Sequence, residues 1–256
     1  MNSQAWIRYY RQNQQNRPEP DWNRRCAIPP RERAELARSL SHFQLGESGG
    51  GRCLERLGKR LEAERTDPGH QEALRLFVAE EAEHARLLAE LVRYLGGALV
   101  TRHWTHRLFR LVRQAAGLHF EIQVLVTAEL AGTAYYESVH GATTDETVRE
   151  TISLLLRDEA RHVAYHLDRL RDWQAGLLPV ERTLWELQFQ ALFMQALLIL
   201  WADHGRCLKA LGLSQREYFR RARRHGIDFL RKLEPRAARA AAIPRETPKP
   251  EATVNA

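Results

Sequence analysis

Cysteine is scarce in this sequence of 256 residues, which contains only Cys26, Cys53 and Cys207. The three do not form a CxxC pair, and an odd number does not suit a set of paired disulfides. A disulfide framework and a rubredoxin-type pair of CxxC motifs are therefore excluded. This usage fits a reducing compartment, and we expect a cytoplasmic protein.

The sequence also lacks an apolar run long enough to cross a bilayer, which takes about 20 residues. Its longest apolar stretch, 191–202, is interrupted by Gln195. Residues 1–25 are polar and have no apolar core of the kind found in a secretion signal. Neither a transmembrane segment nor a signal peptide is expected.

Strand-like alternation is scarce too, and long stretches place Ala, Leu, Glu and Arg at helical spacing. The pattern predicts an all-α protein with an N-terminal arm (1–30) whose aromatic side chains could dock on the body. After the arm we expect a helical bundle (31–176), then C-terminal helices (177–233) and a disordered tail (234–256). The helices are expected over about 31–65, 67–96, 105–140, 143–176, 179–212 and 214–233. Ser214 and Glu217 have the spacing of a capping box at the start of the last helix.

The net charge of +7 is concentrated near the C-terminus. Residues 205–245 contain twelve Lys/Arg and three Asp/Glu. A basic helix of this kind suits a contact with nucleic acid, an acidic carrier protein or anionic lipid. A solvated helix face is the more common explanation of the same pattern.

Two Glu-x-x-His pairs carry the strongest functional signal, Glu81–His84 and Glu159–His162. Each pair follows a predicted helix that has an isolated glutamate among small and apolar residues, Glu47 in the first case and Glu129 in the second. The distance from isolated glutamate to pair is similar in the two copies, 34 and 30 residues. This is the ligand order of a two-metal carboxylate site in a four-helix bundle.

The spacing has a physical reason. Helix positions i and i+3 lie about 60° apart around the axis and about 4.5 Å along it, so both side chains reach one ion or two adjacent ions. Four carboxylates balance two divalent ions and would repel one another if buried without metal. Mixed carboxylate and imidazole ligation suits iron or manganese. A third pair, Glu137–His140, shows that the spacing alone is weak evidence, whereas apolar neighbours such as Phe77 and Leu155 predict burial of the chosen set.

These residues resemble the ferritin-like di-iron carboxylate superfamily over about 31–175. The segment 158–162, Asp-Glu-Ala-Arg-His, is similar to the Asp-Glu-x-Arg-His signature of bacterial multicomponent monooxygenase hydroxylases. The resemblance implies a ferritin-like four-helix bundle, here with two additional C-terminal helices. It also implies two iron ions, or one manganese and one iron, bound by six ligands: Glu47, Glu81, His84, Glu129, Glu159 and His162.

The family pattern gives the aspartate of the signature a hydrogen bond to a histidine ligand, which implies that role for Asp158. In the first copy Glu80 and Glu83 stand where the family has Asp and Arg. We place Asp158, Glu80 and His166 around the ligands. His166, four residues after His162, is a seventh ligand, a proton relay or a core histidine.

Two more side chains share the helix face of Glu129. Thr133 stands where the monooxygenases have a threonine beside the oxygen pocket, and the resemblance implies a part in proton delivery. The alternative is a hydroxyl bonded back to its own helix. Tyr136 is either a redox-active tyrosine or core packing.

Two histidines with four glutamates resemble the oxygen-activating branch of the superfamily more than the ferritins and rubrerythrins. The expected function is that of a non-haem di-iron oxidase or oxygenase that activates dioxygen. It would hydroxylate, desaturate or N-oxygenate a small apolar organic substrate, with electrons from an external donor. Helix 179–212 is rich in Leu and Phe and could wall a substrate channel, pack within the bundle or form a homodimer.

Three alternatives stay open. A ferroxidase, peroxide-scavenging or iron-handling protein would share the fold, which does not decide function. A hydroxylase of modified tRNA is suggested by the basic helix and by small ferritin-like tRNA hydroxylases. The non-enzyme alternative is a helical interaction module without metal.

Overall fold

The computed structural model describes residues 3–48, 69–113 and 117–234. Within these ranges the chain forms eight helices and no strand, which confirms the all-α prediction for the part described. The helices are α1 (Ser3–Gln15), α2 (Pro30–Ser48), α3 (His70–Tyr94), α4 (Trp104–Arg113), α5 (Gly117–Ala142), α6 (Glu146–Gln174), α7 (Pro179–Ala210) and α8 (Gln215–Leu233).

Two packed helix pairs form the centre of the molecule. Helix α2 packs on α3 and α5 packs on α6, and contacts between α3 and α6 join the pairs. Helix α7 lies against α5 and α2, α8 lies against α5, α6 and α7, and α1 covers α3. Leu88, Val126 and Leu155 lie fully buried in the core that these helices share. The four central helices are the ones that carry the predicted ligands.

Local capping explains where two of the helices begin. The carboxylate of Asp145 accepts a hydrogen bond from the Val148 amide at 3.0 Å, so α6 begins at Glu146 rather than near residue 143 as predicted. The Thr143 hydroxyl accepts from the Asp145 amide at 3.1 Å. Ser214 and Glu217 form the predicted capping box at the start of α8. Each such cap stabilises its helix by about 1 kcal/mol.

Two predicted helices are described only in part. The helix expected over 105–140 is described as α4 and α5, and residues 114–116 between them lie outside the described residues. The expected helix over 31–65 is seen as α2 as far as Ser48, and its remainder lies outside the described residues, as does the expected start of the next helix at Asp67-Pro68. The tail expected to be disordered lies outside them from residue 235 onward.

The N-terminal arm contains a helix where only a docking arm is predicted. Ile7 and Tyr10 of α1 are buried. The Trp6 ring packs edge-on against Tyr165 at 5.5 Å between centroids, and Tyr10 lies 6.4 Å from Phe77. These side chains recur every three or four residues, so a single apolar stripe is enough to hold a helix whose other positions are polar.

Helix α7 is the one described helix that is long and apolar enough to cross a membrane, judged by length and composition. This is weak evidence, because the core helix of a soluble protein passes the same test. Its inner face buries Trp185, Phe189 and Leu197. Its outer face leaves large apolar side chains exposed, among them Leu184, Leu187, Met194 and Leu198.

Candidate metal centre

Three helices, α2, α3 and α6, bring carboxylates and imidazoles together. The ligand atoms of Glu81, His84 and His162 lie within 4.8 Å of one another, and so do those of Glu47, His84 and Glu159. The two groups share His84, and both histidines are fully buried. The structure therefore contains buried carboxylate–imidazole groups that could hold a metal ion.

The outer nitrogen of each histidine faces a carboxylate. His84 Nε2 lies 3.3 Å from Asp158 Oδ2, and His162 Nε2 lies 2.9 Å from Glu80 Oε2. An ionised carboxylate only accepts hydrogen bonds, so each Nε2 carries a hydrogen and donates it in a hydrogen bond to the carboxylate. In the neutral imidazole the inner nitrogen, Nδ1, is then left with a free lone pair.

Both Nδ1 atoms point into the carboxylate cluster. His84 Nδ1 lies 3.5 Å from Glu159 Oε1, and His162 Nδ1 lies 2.8 Å from Glu81 Oε1. Neither Nδ1 makes a hydrogen bond of acceptable geometry. Two ligands each about 2.1 Å from one ion would be about 3 to 3.5 Å apart. A cation beside each Nδ1 would therefore bind both the free lone pair of that buried nitrogen and the oxygen of the carboxylate opposite it.

Glu80 and Asp158 are held from outside by the N-terminal segment. Arg17 Nη2 lies 3.0 Å from Glu80 Oε1, and Arg17 Nη1 contacts Asp158 Oδ2. Asn13 Nδ2 donates to Asp158 Oδ1 at 2.9 Å and also contacts Glu80. Sequence reasoning missed Asn13 and Arg17, because nothing in a polar arm signals contacts with residues more than 60 positions away.

The charges around Asp158 keep its carboxyl group ionised. Burial alone would raise the pKa of Asp158, but His84 and the guanidiniums of Arg17 and Arg157 outweigh burial and hold this pKa below its usual value. Arg157 Nε donates to Asp158 Oδ1 at 3.1 Å. Asp158 therefore acts as a permanent hydrogen-bond acceptor for His84.

Without metal, the inner cluster retains protons. Burial, followed by the charge of Glu81, raises the pKa of Glu47 well above its usual value, and burial also raises the pKa of Glu159. Burial lowers the pKa of His84, but the carboxylates of Asp158 and Glu159 outweigh it and raise this pKa to about 9. Protons and metal ions therefore compete for the same atoms.

Glu129 is the predicted ligand that stands apart from both groups. Its Oε1 lies 2.9 Å from His166 Nε2, and its Oε2 is buried without a hydrogen bond. The structure thus brings five of the six predicted ligands into the two groups and pairs the sixth with His166. Glu129 lines the same cavity as Glu47, Glu81 and Glu159.

The two other predicted site residues have different surroundings. Thr133 donates its hydroxyl to the backbone carbonyl of Glu129 at 2.8 Å, which is the helix-bonded alternative. Tyr136 lies on the cavity wall, and its buried hydroxyl has no hydrogen-bond partner. Burial, followed by the charges of Glu47 and Glu159, raises the pKa of Tyr136 well above its usual value, so the phenol keeps its proton.

A cavity of about 280 Å³ adjoins the carboxylates. Beyond the four glutamates its wall is mainly apolar and is supplied by α4, α5 and α7: Leu108, Phe109, Val112, Val124, Leu125, Leu192, Ala196, Ile199 and Leu200. Gly46 and Gly132 also line it, and a Cβ at Gly46 would meet no atom within 4 Å. Because glycine has no side chain, these two positions add to the space in the cavity.

No family model, curated protein or solved structure matches this chain.

Proposed function

We propose that this chain is a ferritin-like, non-haem di-iron oxidase or oxygenase that activates dioxygen to oxidise a small apolar organic substrate. The observation that carries the proposal is the pair of buried Nδ1 atoms, on His84 and His162, that face carboxylates without a hydrogen bond. The outer carboxylates of Asp158 and Glu80 orient both rings for metal binding.

The ligands divide naturally between two ions. His84 with Glu47 would hold one ion, and His162 with Glu81 would hold the other. The carboxylate of Glu159 lies 3.5 Å from His84 Nδ1 and 3.9 Å from His162 Nδ1, which suits a group shared by both ions. Glu129, on the cavity side, could complete the set.

The charges also fit two divalent ions. The four inner glutamates balance a total charge of +4, and the outer carboxylates of Glu80 and Asp158 are balanced by Arg17 and Arg157. A donor set of carboxylates and two imidazoles favours iron or manganese over softer metals. When bound, reduced iron would supply the electrons and the open coordination positions at which dioxygen is reduced.

The apolar cavity supports an organic substrate rather than iron storage. Its wall would bind a hydrocarbon group against the carboxylate cluster and exclude water from the reacting position. Tyr136 places a protonated phenol on this wall, next to the carboxylates. Hydroxylation, desaturation and N-oxygenation are all compatible with this arrangement.

Anaerobic titration with Fe(II), followed by oxygen, tests the proposal. Wild-type protein should bind two more irons per chain than a His84→Ala/His162→Ala variant, and oxygen should produce a transient absorption that this variant lacks. His225→Ala is the matched control, because His225 also faces a carboxylate, at 2.9 Å from Glu137 Oε2, but belongs to neither group. Equal iron binding in wild type and double variant would refute the centre, and slow growth of a mineral core would favour a storage protein.

The tRNA alternative rests on the basic surface of α8. Arg220, Arg223 and Arg224 are exposed there, as in an ordinary solvated face. Co-purified RNA whose binding weakens steeply with salt would favour this alternative. If no RNA co-purifies with the protein, a small-molecule substrate is the simpler interpretation.

A further inference from the structure

A second imidazole cluster lines the same cavity and shares no residue with the two groups of the candidate metal centre. His42 belongs to α2, and Asp203 and His204 belong to α7. Their ligand atoms lie within 4.8 Å of one another, and all three residues line the cavity. The three side chains are only 7%, 4% and 9% exposed.

The distances between the ligand atoms of these three residues are close to those expected around one metal ion. His42 Nδ1 lies 3.0 Å from Asp203 Oδ1, and His204 Nε2 lies 3.4 Å from Asp203 Oδ2. Two ligands bound tetrahedrally at about 2.0–2.1 Å from one ion would be about 3.3 Å apart. The carboxylate therefore presents one oxygen to each imidazole at the spacing that a shared ion requires.

Each of the three ligands is oriented by a neighbour. His204 Nδ1 lies 2.7 Å from Ser39 Oγ, and a proton donated along this contact leaves a lone pair on Nε2. The Thr105 hydroxyl donates to Asp203 Oδ2 at 3.3 Å. The His103 ring stacks on His42 at 3.8 Å between centroids. Supporting contacts of this kind are typical of metal ligands.

Burial lowers the pKa of His204 to about 3, so this imidazole is uncharged near neutral pH. Arg38 is the cation beside the cluster, since its guanidinium donates to the Asp203 carbonyl at 3.2 Å. It is paired with Glu35 at 3.3 Å, which offsets part of its charge.

We propose that His42, Asp203 and His204 bind one divalent transition-metal ion of the Zn²⁺ or Fe²⁺ class. Two histidines and one carboxylate leave a coordination position open, as in catalytic zinc sites and in mononuclear iron sites. All three residues line the cavity, so an ion held by them would lie at the cavity wall. One carboxylate leaves a divalent ion with a net positive charge, which would attract a water oxygen or an acidic group of a molecule bound in the cavity.

The site does not depend on the proposed di-iron function, and the two are tested separately. Full-length protein is stripped with a chelator and titrated with Co²⁺ or Zn²⁺, and the metal bound per chain is measured. Asp203→Asn and His42→Gln should each bind one ion fewer than wild type and lose part of the visible Co²⁺ absorption. A His84→Ala/His162→Ala variant should keep this ion and its Co²⁺ absorption.

His225→Gln is the matched control, because its histidine faces the single carboxylate of Glu137 without a second imidazole, and it should bind as wild type does. Circular dichroism melting checks that the variants fold. If Asp203→Asn and His42→Gln fold and bind as many ions as wild type, with unchanged Co²⁺ absorption, the cluster is a hydrogen-bond network and the proposal is wrong. Loss of metal only from the His84/His162 variant would overturn this site while leaving the di-iron proposal intact.

Discussion

The carboxylates of Glu80 and Asp158, which face the two central histidines, are joined by a single guanidinium. Arg17 contacts both, and its side chain is only 8% exposed. The N-terminal segment therefore supports the candidate metal centre, because it contacts the two carboxylates that face His162 and His84.

Removal of the guanidinium should weaken metal binding. Arg17→Ala removes the one guanidinium that joins Glu80 to Asp158, so both carboxylates lose a buried charged partner and keep their contacts with Asn13. We expect metal affinity to fall about 10- to 100-fold, as for other changes around metal ligands. Competition with a chromophoric chelator measures the affinity.

Arg11→Ala is the control for this prediction. Arg11 lies on α1 and pairs with Glu72, but the two side chains are 60% and 42% exposed. An exposed pair of this kind contributes little, so affinity should stay at the wild-type value. Equal affinities for the two variants would show that Arg17 does not support the ligands.

The metal-free protein should lose stability as pH rises from 6.5 to 9.5. Folding raises the pKa of His84 to about 9, so the stabilisation from its imidazolium is fully present below pH 6.5 and is lost as pH passes through 9. Glu47 and Glu159, whose pKa values are also raised, act in the same direction. Thermal unfolding of chelator-treated protein over this range measures the effect.

Metal binding gives a second readout of the same protons. Ions displace protons from the cluster, so binding should release protons and should tighten as pH rises toward 9. Calorimetry in buffers of different ionisation enthalpy counts the protons released. Metal-free stability that rises across this pH range, or binding that releases no protons, would contradict the assignment.

A bulky side chain in the cavity should block the substrate without disturbing the metal ligands. Ala196 lines the cavity from α7, so Ala196→Phe would fill part of the space of about 280 Å³. We expect unchanged iron content at the His84/His162 centre and at least a tenfold loss in binding of an apolar fluorescent probe. Ala191→Phe on the exposed face of the same helix is the control. Equal probe binding in both variants would place the binding site elsewhere.

The contact between α7 and α8 should be intolerant of added volume at Gly226. A Cβ there would lie 2.6 Å from Phe193 Cε1, and the Phe193 ring is itself stacked on Phe189. Gly226→Ala should destabilise the protein by about 1–3 kcal/mol, since overpacking forces the rings to shift. Chemical denaturation measures the free energy of unfolding.

Gly46→Ala is the contrasting substitution. Gly46 is also helical, but an added Cβ would meet no atom within 4 Å. Alanine should stabilise α2 by up to about 1 kcal/mol, because it restricts the unfolded chain more than glycine does. If both substitutions changed stability alike, close packing at Gly226 would not be the cause.

Local patterns predicted much of the fold and part of the site. Helical spacing identified the all-α class, and the Glu-x-x-His pairs identified His84 and His162, because both signals lie within one or two turns of a helix. Asp158 was expected beside a histidine ligand from a resemblance, and the structure places it beside His84.

Local patterns could not predict contacts between residues that are far apart in the sequence. Arg17 reaches Glu80 and Asp158 across 63 and 141 positions, and no local spacing marks it. His42 and Asp203 are 161 positions apart and have no shared motif. The Thr133 hydroxyl had more than one possible role in the sequence analysis, and only the folded structure shows which hydrogen bond it makes.

The most direct test of the central claim is anomalous diffraction from crystals of the iron-loaded protein. At the His84/His162 centre we predict two iron peaks about 3.5–4 Å apart, one beside His84 Nδ1 and the other beside His162 Nδ1. Crystals soaked in Fe(II) that show no anomalous peak between these two nitrogens would contradict it.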